Sequence, residues 1–281
     1  MIQLLNNRLL FSSMRLKTCL AGLVSILYAC SPTPDEIAIS QSETEQIGKK
    51  IYLNECAGKR ACLTSWNRGE AFPSLGIGHF IWYPNGTSGP FKESFPDLIR
   101  FMQRDGIKIP TWLTKAMDGG APWHSRDQFL AAQHSPSMEE LRSFLDHNKP
   151  LQVRFMVARL NRALPEMLAS IHASERDNLQ RQFQRVAKTP MGYYVLIDYV
   201  NFKGEGTKES ERYQGKGWGL LQVLQNMNVR DEDVLHAFAS AADFVLTRRV
   251  ALSPPERGEA RWLAGWRKRL ATYAASATAK N

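Results

Sequence analysis

Glu55 ends a stretch, Ile47-Gly-Lys-Lys-Ile-Tyr-Leu-Asn-Glu55, whose apolar positions fall at helical spacing. The loop that follows carries Cys56, Cys62, Trp66, Asn67 and Glu70. A carboxyl at a helix end, half-buried against Tyr52, Trp66 or Trp82, suits general acid chemistry. Desolvation disfavours its charged form, so it can protonate a leaving oxygen near neutral pH. Cleavage of a glycosidic bond needs such an acid and a second polar group that orients water or stabilises the cation. Asn67, Glu70 and Ser74 stand in the adjoining loop and could supply it. Glu55 and Glu70 are therefore the expected catalytic carboxylates.

Each further candidate has two readings. Glu205, Glu209 and Glu211 are either a solvated loop or, with Tyr213, Gln214 and Gln222, the far wall of a cleft. His79 either organises a turn by hydrogen bonding or acts as a base. Trp66, Trp82 and Trp218 either stack on sugars or belong to core and rim. Asp198, inside an apolar run, reads as a satisfied buried carboxylate capping a helix end, and a buried carboxyl is also an acid candidate.

Residues 1–29 resemble an export signal. They hold Arg8, Arg15 and Lys17 and no acid, and the apolar run over 18–29 is too short to span a bilayer. Translation from Met14 would give an equally complete signal. Leu27-Tyr28-Ala29-Cys30 resembles a bacterial lipobox, which implies lipidation of Cys30 and a membrane anchor, whereas an ordinary secretory signal would leave the cysteine unmodified. Ser31 points to the outer membrane, facing the periplasm. Residues 30–42 read as a tether and 43–281 as one domain.

Loss of the signal lowers the net charge from +9 to +6. A cationic exported protein is drawn to anionic envelope polymers. The charge is dispersed, with nothing that suggests nucleic acid. With Cys19 lost in the signal and Cys30 lipidated, Cys56 and Cys62 are left, an even pair expected to form a disulfide that stabilises by roughly 2 kcal/mol and pins the loop after Glu55. No histidine cluster accompanies them in the chain, so no metal is expected.

Helices are expected from about Glu43 to Glu55 with Gly58 as the stop, near 94–105 and 111–117, and from Ser125. Others are expected over 137–147 behind a Ser137–Glu140 capping box, over 151–171 with a kink or break at Pro165, and over 174–188. Residues 74–83 read as a β-hairpin ahead of the turn Pro84-Asn85-Gly86. Residues 192–201 read as a buried helix or strand, 203–218 as a Gly-rich loop, and 219–228, 231–249 (from an Asp231 cap) and 256–275 as helices. The fold class is α+β, mainly α, with one small β element.

Asn54-Glu-Cys-Ala-Gly58 followed by Leu75-Gly-Ile-Gly-His-Phe80 resembles the phage-type lysozymes (endolysins). There a catalytic Glu-Gly ends the first helix and an Ile-Gly-x-Gly-His hairpin lines the cleft. The resemblance implies a lysozyme-like fold, places Glu55 on the catalytic glutamate and Gly76–His79 on the hairpin, and sets Ser74 near the residue that holds water. The family's aspartate falls around Asn67 to Glu70, and Cys56 stands where glycine is usual. Residues 195–206 are similar to the buried helix that ends in Phe-Asn-x-Gly. Gly217-Trp-Gly-Leu-Leu-Gln222 is similar to a segment of lytic transglycosylases. Glu209-Ser210 ahead of it is similar to their Glu-Ser motif, and 248–270 resembles the Arg-rich closing helices of lysozymes.

The expected activity is therefore cleavage of peptidoglycan strands by a lipid-anchored monomer without a cofactor. Trp66, Asn67, Ser74, His79, Glu205, Gln214 and Gln222 are its expected substrate contacts. Hydrolase and transglycosylase both fit. The competing class is a non-catalytic envelope lipoprotein that binds glycan or a partner, and a glycosidase for another β-linked amino sugar, such as chitin, is a third.

Overall fold

The structure, a computed structural model, describes residues 39–89, 91–228 and 233–276. The expected signal, Cys30 and the tether as far as residue 38 lie outside these residues, as does Asp231. Helix α1 (Gln41–Cys56) starts two residues before the expected point, because Ser40 and Glu43 form a complete capping box. Ile47, Ile51 and Cys56 are buried along it. Ala57, left-handed at φ 47°, caps its end ahead of Gly58.

Three short strands follow: β1 (Thr64–Ser65), β2 (Ser74–Leu75) and β3 (Phe80–Ile81). They form an antiparallel sheet in chain order, with Thr64 opposite Leu75 and Leu75 opposite Phe80. The expected hairpin is present, and β1 widens it. Arg142, buried, ties the sheet to the helices by donating from Nε to Thr64 Oγ1 at 3.0 Å.

Helices α2 (Phe95–Arg104), α3 (Thr111–Ala116) and α4 (Arg126–Ala131, capped by Ser125) come next. In α2, Phe95, Leu98, Ile99 and Met102 repeat at core-facing spacing and are fully buried. Helix α5 (Pro136–His147) is capped by Ser135 rather than by the expected Ser137–Glu140 box. Pro136 lacks an N–H and suits the first helical position, so the serine before it receives the Met138 N–H. Helix α6 (Lys149–Ala169) runs through Pro165 unbroken, with Ala163 and Met167 buried on either side of it.

Helix α7 (Ala173–Ala187) leads to α8 (Gly192–Lys203), which is helix and not strand; every residue from Tyr194 to Val200 is buried. Helix α8 packs against α1, α6, α7 and α9 (Leu220–Asn226). The expected loop at 203–218 contains a second ladder, β4 (Arg212–Tyr213) with β5 (Lys216–Gly217). Gln214 at φ 48° and Gly215 at φ 73° are its two central residues, the backbone a tight two-residue hairpin requires. Helix α10 (Val234–Leu252), capped by Asp233, packs on α11 (Ala260–Ser276). The fold is α+β and mainly α.

Gly76 shows why the turn between β2 and β3 needs glycine. Its φ is 73°, and a Cβ there would lie 2.3 Å from Gln152 Oε1. That oxygen is fully buried and accepts the Ile77 N–H at 2.8 Å. Gly76→Ala should therefore destabilise the chain by about 2–4 kcal/mol, from left-handed strain and a disrupted buried hydrogen bond, as read by urea unfolding.

Candidate active site

Glu55 lies in the last turn of α1 with 13% of its side chain exposed, neither on open surface nor sealed. Its two oxygens have different partners. Arg269 of α11 donates from Nη2 to Oε1 at 2.5 Å, and His79 Nδ1 stands 3.4 Å from Oε2. The same guanidinium donates from Nε and Nη2 to Asp198 of α8 at 2.8 and 2.7 Å, and Tyr273 adds its hydroxyl to Asp198 at 2.6 Å. Three helices thus meet on one cation. Asp198 is buried and satisfied, as expected, but it sits mid-helix and caps no end.

The turn carrying His79 is held from two sides. Gln152 of α6 takes the Ile77 N–H and donates to Leu145 O, while Asn201 of α8 donates to Gly78 O at 3.0 Å. His79 itself is left-handed at φ 49°. Its ring nitrogens address Glu55 and, at 3.5 Å from Nε2, Cys62 Sγ, rather than the hairpin backbone. The Cys56–Cys62 disulfide is present, with Cys62 Sγ also 3.3 Å from Glu55 O. The absence of a histidine near the cysteines in the chain was misleading: the β2–β3 turn places His79 beside them.

The other expected residues fall into separate groups. Asn67 donates to Glu70 at 3.2 Å, and Trp66 Nε1 donates to Glu70 O at 2.8 Å. Trp66 is buried edge-on against Phe129, and Trp82 and Trp218 are buried too, which leaves little ring face for a sugar. Among the described residues, no hydrogen bond or ion pair joins Glu70 to Glu55. Ser74 sits in β2, its carbonyl taking the Ser65 hydroxyl.

In the 204–219 segment, Gln222 is a structural clamp, accepting the Gly219 N–H and donating to Gly206 O, each at 3.0 Å. Gln214 lies exposed in the tight turn. Glu205 is buried and ion-paired to Arg159 at 2.8 Å. Burial pushes the Glu205 carboxyl up, but the Arg159 charge and hydrogen bond outweigh it and hold it low. Burial and then the Glu205 charge raise the neighbouring Glu211 carboxyl, which accepts the Gly206 N–H at 2.6 Å.

Arg269, the cation at the centre of this cluster, was not singled out by sequence reasoning, which noted only the Arg-rich segment 248–270. Lys203 was missed as well. Its Nζ lies 3.5 Å from the Trp266 ring centroid and 4.0 Å from that of Phe202, the ring that Arg269 covers from 4.4 Å. Burial, aided by the Arg249 charge, pushes the Lys203 amine down to about 6.

Between about 6 and the ordinary 10.5 the unfolded chain binds the extra proton, so this amine makes stability rise with pH across that window and penalises the fold fully below it. Lys203→Met should raise stability at pH 7 by about 2 kcal/mol, tempered by partial solvent access, and flatten the rise of Tm between pH 6 and 10. Calorimetry across that range checks it.

No known protein family, no curated protein and no solved structure matches the chain.

Proposed function

We propose that the chain is a lipid-anchored enzyme that cleaves the MurNAc–GlcNAc β-1,4 link of peptidoglycan strands, lysozyme-like in kind, with Glu55 as general acid. One observation carries the reading: Glu55 is mostly buried yet reachable, under the Gly76–His79 turn, with each oxygen assigned to a different partner. Arg269 orients the carboxyl through Oε1 at 2.5 Å, which leaves Oε2, 3.4 Å from His79 Nδ1, as the oxygen for the leaving group. The dispersed positive charge of the chain favours approach to an anionic polymer.

The full chain in detergent is incubated with purified sacculi, and soluble muropeptides are followed by chromatography and mass. Release that disappears in Glu55→Gln supports the reading. Products that retain a reducing end indicate attack by water, and anhydro products indicate attack by the sugar's own 6-hydroxyl. Binding without release supports a glycan-binding module instead.

A second reading rests on Glu205 and Glu211, two neighbouring carboxyls whose surroundings hold one low and one high, as acid–base pairs require. Release unchanged in Glu55→Gln and lost in Glu211→Gln would select it. Glu209, with 88% of its side chain exposed, lacks the desolvation an acid needs.

A further inference from the structure

We propose that reduction of the Cys56–Cys62 bond converts Cys56, Cys62 and His79 into a binding site for a divalent cation of the zinc class. The two sulfurs and a ring nitrogen of His79 lie within 4.8 Å of one another. Cys62 Sγ and His79 Nε2 are 3.5 Å apart. A tetrahedral zinc with ordinary Zn–S and Zn–N bonds holds sulfur and nitrogen about 3.6 Å apart, so this pair already stands at ligand spacing. The sulfurs must part to about 3.8 Å on either side of the ion, within reach of side-chain rotation once they are unlinked.

The other nitrogen of His79 strengthens the case. Metal-bound imidazoles regularly donate their second N–H to a carboxylate, which fixes the ring and its tautomer. His79 Nδ1 faces Glu55 Oε2 at 3.4 Å, and Arg269 in turn anchors Glu55. The ring is also set from behind, because Gln152 and Asn201 hold Ile77 and Gly78. The ligands come from α1, the helical turn Arg60–Leu63 and the β2–β3 turn, and α6, α8 and α11 supply the residues that orient them. Three protein ligands would leave the fourth position of a tetrahedral ion for water.

The step balances with a dithiol as reductant. The disulfide takes two electrons and two protons, giving two thiols, while the dithiol closes to its own disulfide. The cation then displaces the two thiol protons and bonds both thiolates and neutral Nε2, so uptake strengthens as pH rises. The inference stands apart from glycan cleavage, which is assayed on the oxidised chain.

The test uses the full chain carrying Cys19→Ser and Cys30→Ser, in detergent, reduced with dithiothreitol, freed of reductant without air, and titrated with Cd²⁺. The charge-transfer absorbance of the Cd–thiolate bond is read, and circular dichroism follows the helices. One Cd²⁺ per reduced chain with the helical signal intact, none for the oxidised chain, and at least tenfold weaker uptake in both His79→Gln and Glu55→Gln support the site. Equal uptake in His79→Gln overturns it, because loose thiols would then suffice. Failure of the reduced chain to take up Cd²⁺, uptake by the oxidised chain, or uptake only after the helical signal is lost overturns it as well.

Discussion

Glu55→Gln should lower muropeptide release from sacculi by about 10²–10⁴-fold, the usual contribution of a positioned general acid, while leaving the fold in place. Glutamine preserves the length and volume of the side chain, and its carbonyl oxygen can still accept from Arg269. What it lacks is a transferable proton. Stability should change little, by about 1 kcal/mol, since Arg269 keeps both hydrogen bonds to Asp198. The pairing of a large loss of release with a near-normal Tm is the informative result. Glu55→Asp withdraws the carboxyl from His79 and Arg269 and should retain only part of the release. A Glu55→Gln protein that releases muropeptides at the full rate would remove this residue from the chemistry.

Arg269→Met should destabilise the protein by about 3–5 kcal/mol, because it strands a fully buried carboxylate. Asp198 receives the Arg269 fork and the Tyr273 hydroxyl. Burial and then the Asp198 charge push the Tyr273 phenol well up, so it stays a proton donor, but one neutral hydrogen bond does not balance a buried charge. For a chain of this size the loss corresponds to a Tm fall of roughly 6–20 °C. Adding Asp198→Asn to Arg269→Met should recover part of it, since the charge left without a partner is then gone, and the double-mutant cycle should give a coupling above about 1 kcal/mol. A cost below about 1 kcal/mol for the single variant would mean that these three helices are not held together through this cation. Release should also fall in Arg269→Met, because Glu55 loses the partner that orients Oε1.

How much of this could be read without coordinates depends on the range of the interaction. The start of α1 was legible to within two residues from the Ile47–Ile51 stripe, and the Ser40–Glu43 capping box that sets it two residues earlier went unread although it too is local. The β2–β3 turn was legible for the same reason: Gly76 is needed where φ is positive, whatever packs around it. The cap of α5 was misplaced by two residues because Pro136 favours the first helical position more strongly than the Ser137–Glu140 pattern competes. The β4–β5 ladder was missed because only Gly215 of its two turn residues carries the usual signature, and Gln214 adopts positive φ under constraint from the strands.

By itself, then, the sequence determined a mainly helical α+β chain, the glycine turn, the cysteine pair and the suspicion attached to Glu55. Only the tertiary structure decided what touches that carboxyl. Arg267 and Arg269 are two residues apart on α11 and so point to different sides; one binds Asp243, and the other binds Asp198 and also Glu55, 214 residues away in the chain. His79 reaches both Glu55 and Cys62 because Gln152 and Asn201, from two other helices, hold its turn. Caps, turns and apolar stripes are chosen by dihedral preference and nearest neighbours, which a linear string records. The partners of a buried charge are chosen when several helices exclude water together, and no local stretch of the chain carries that information.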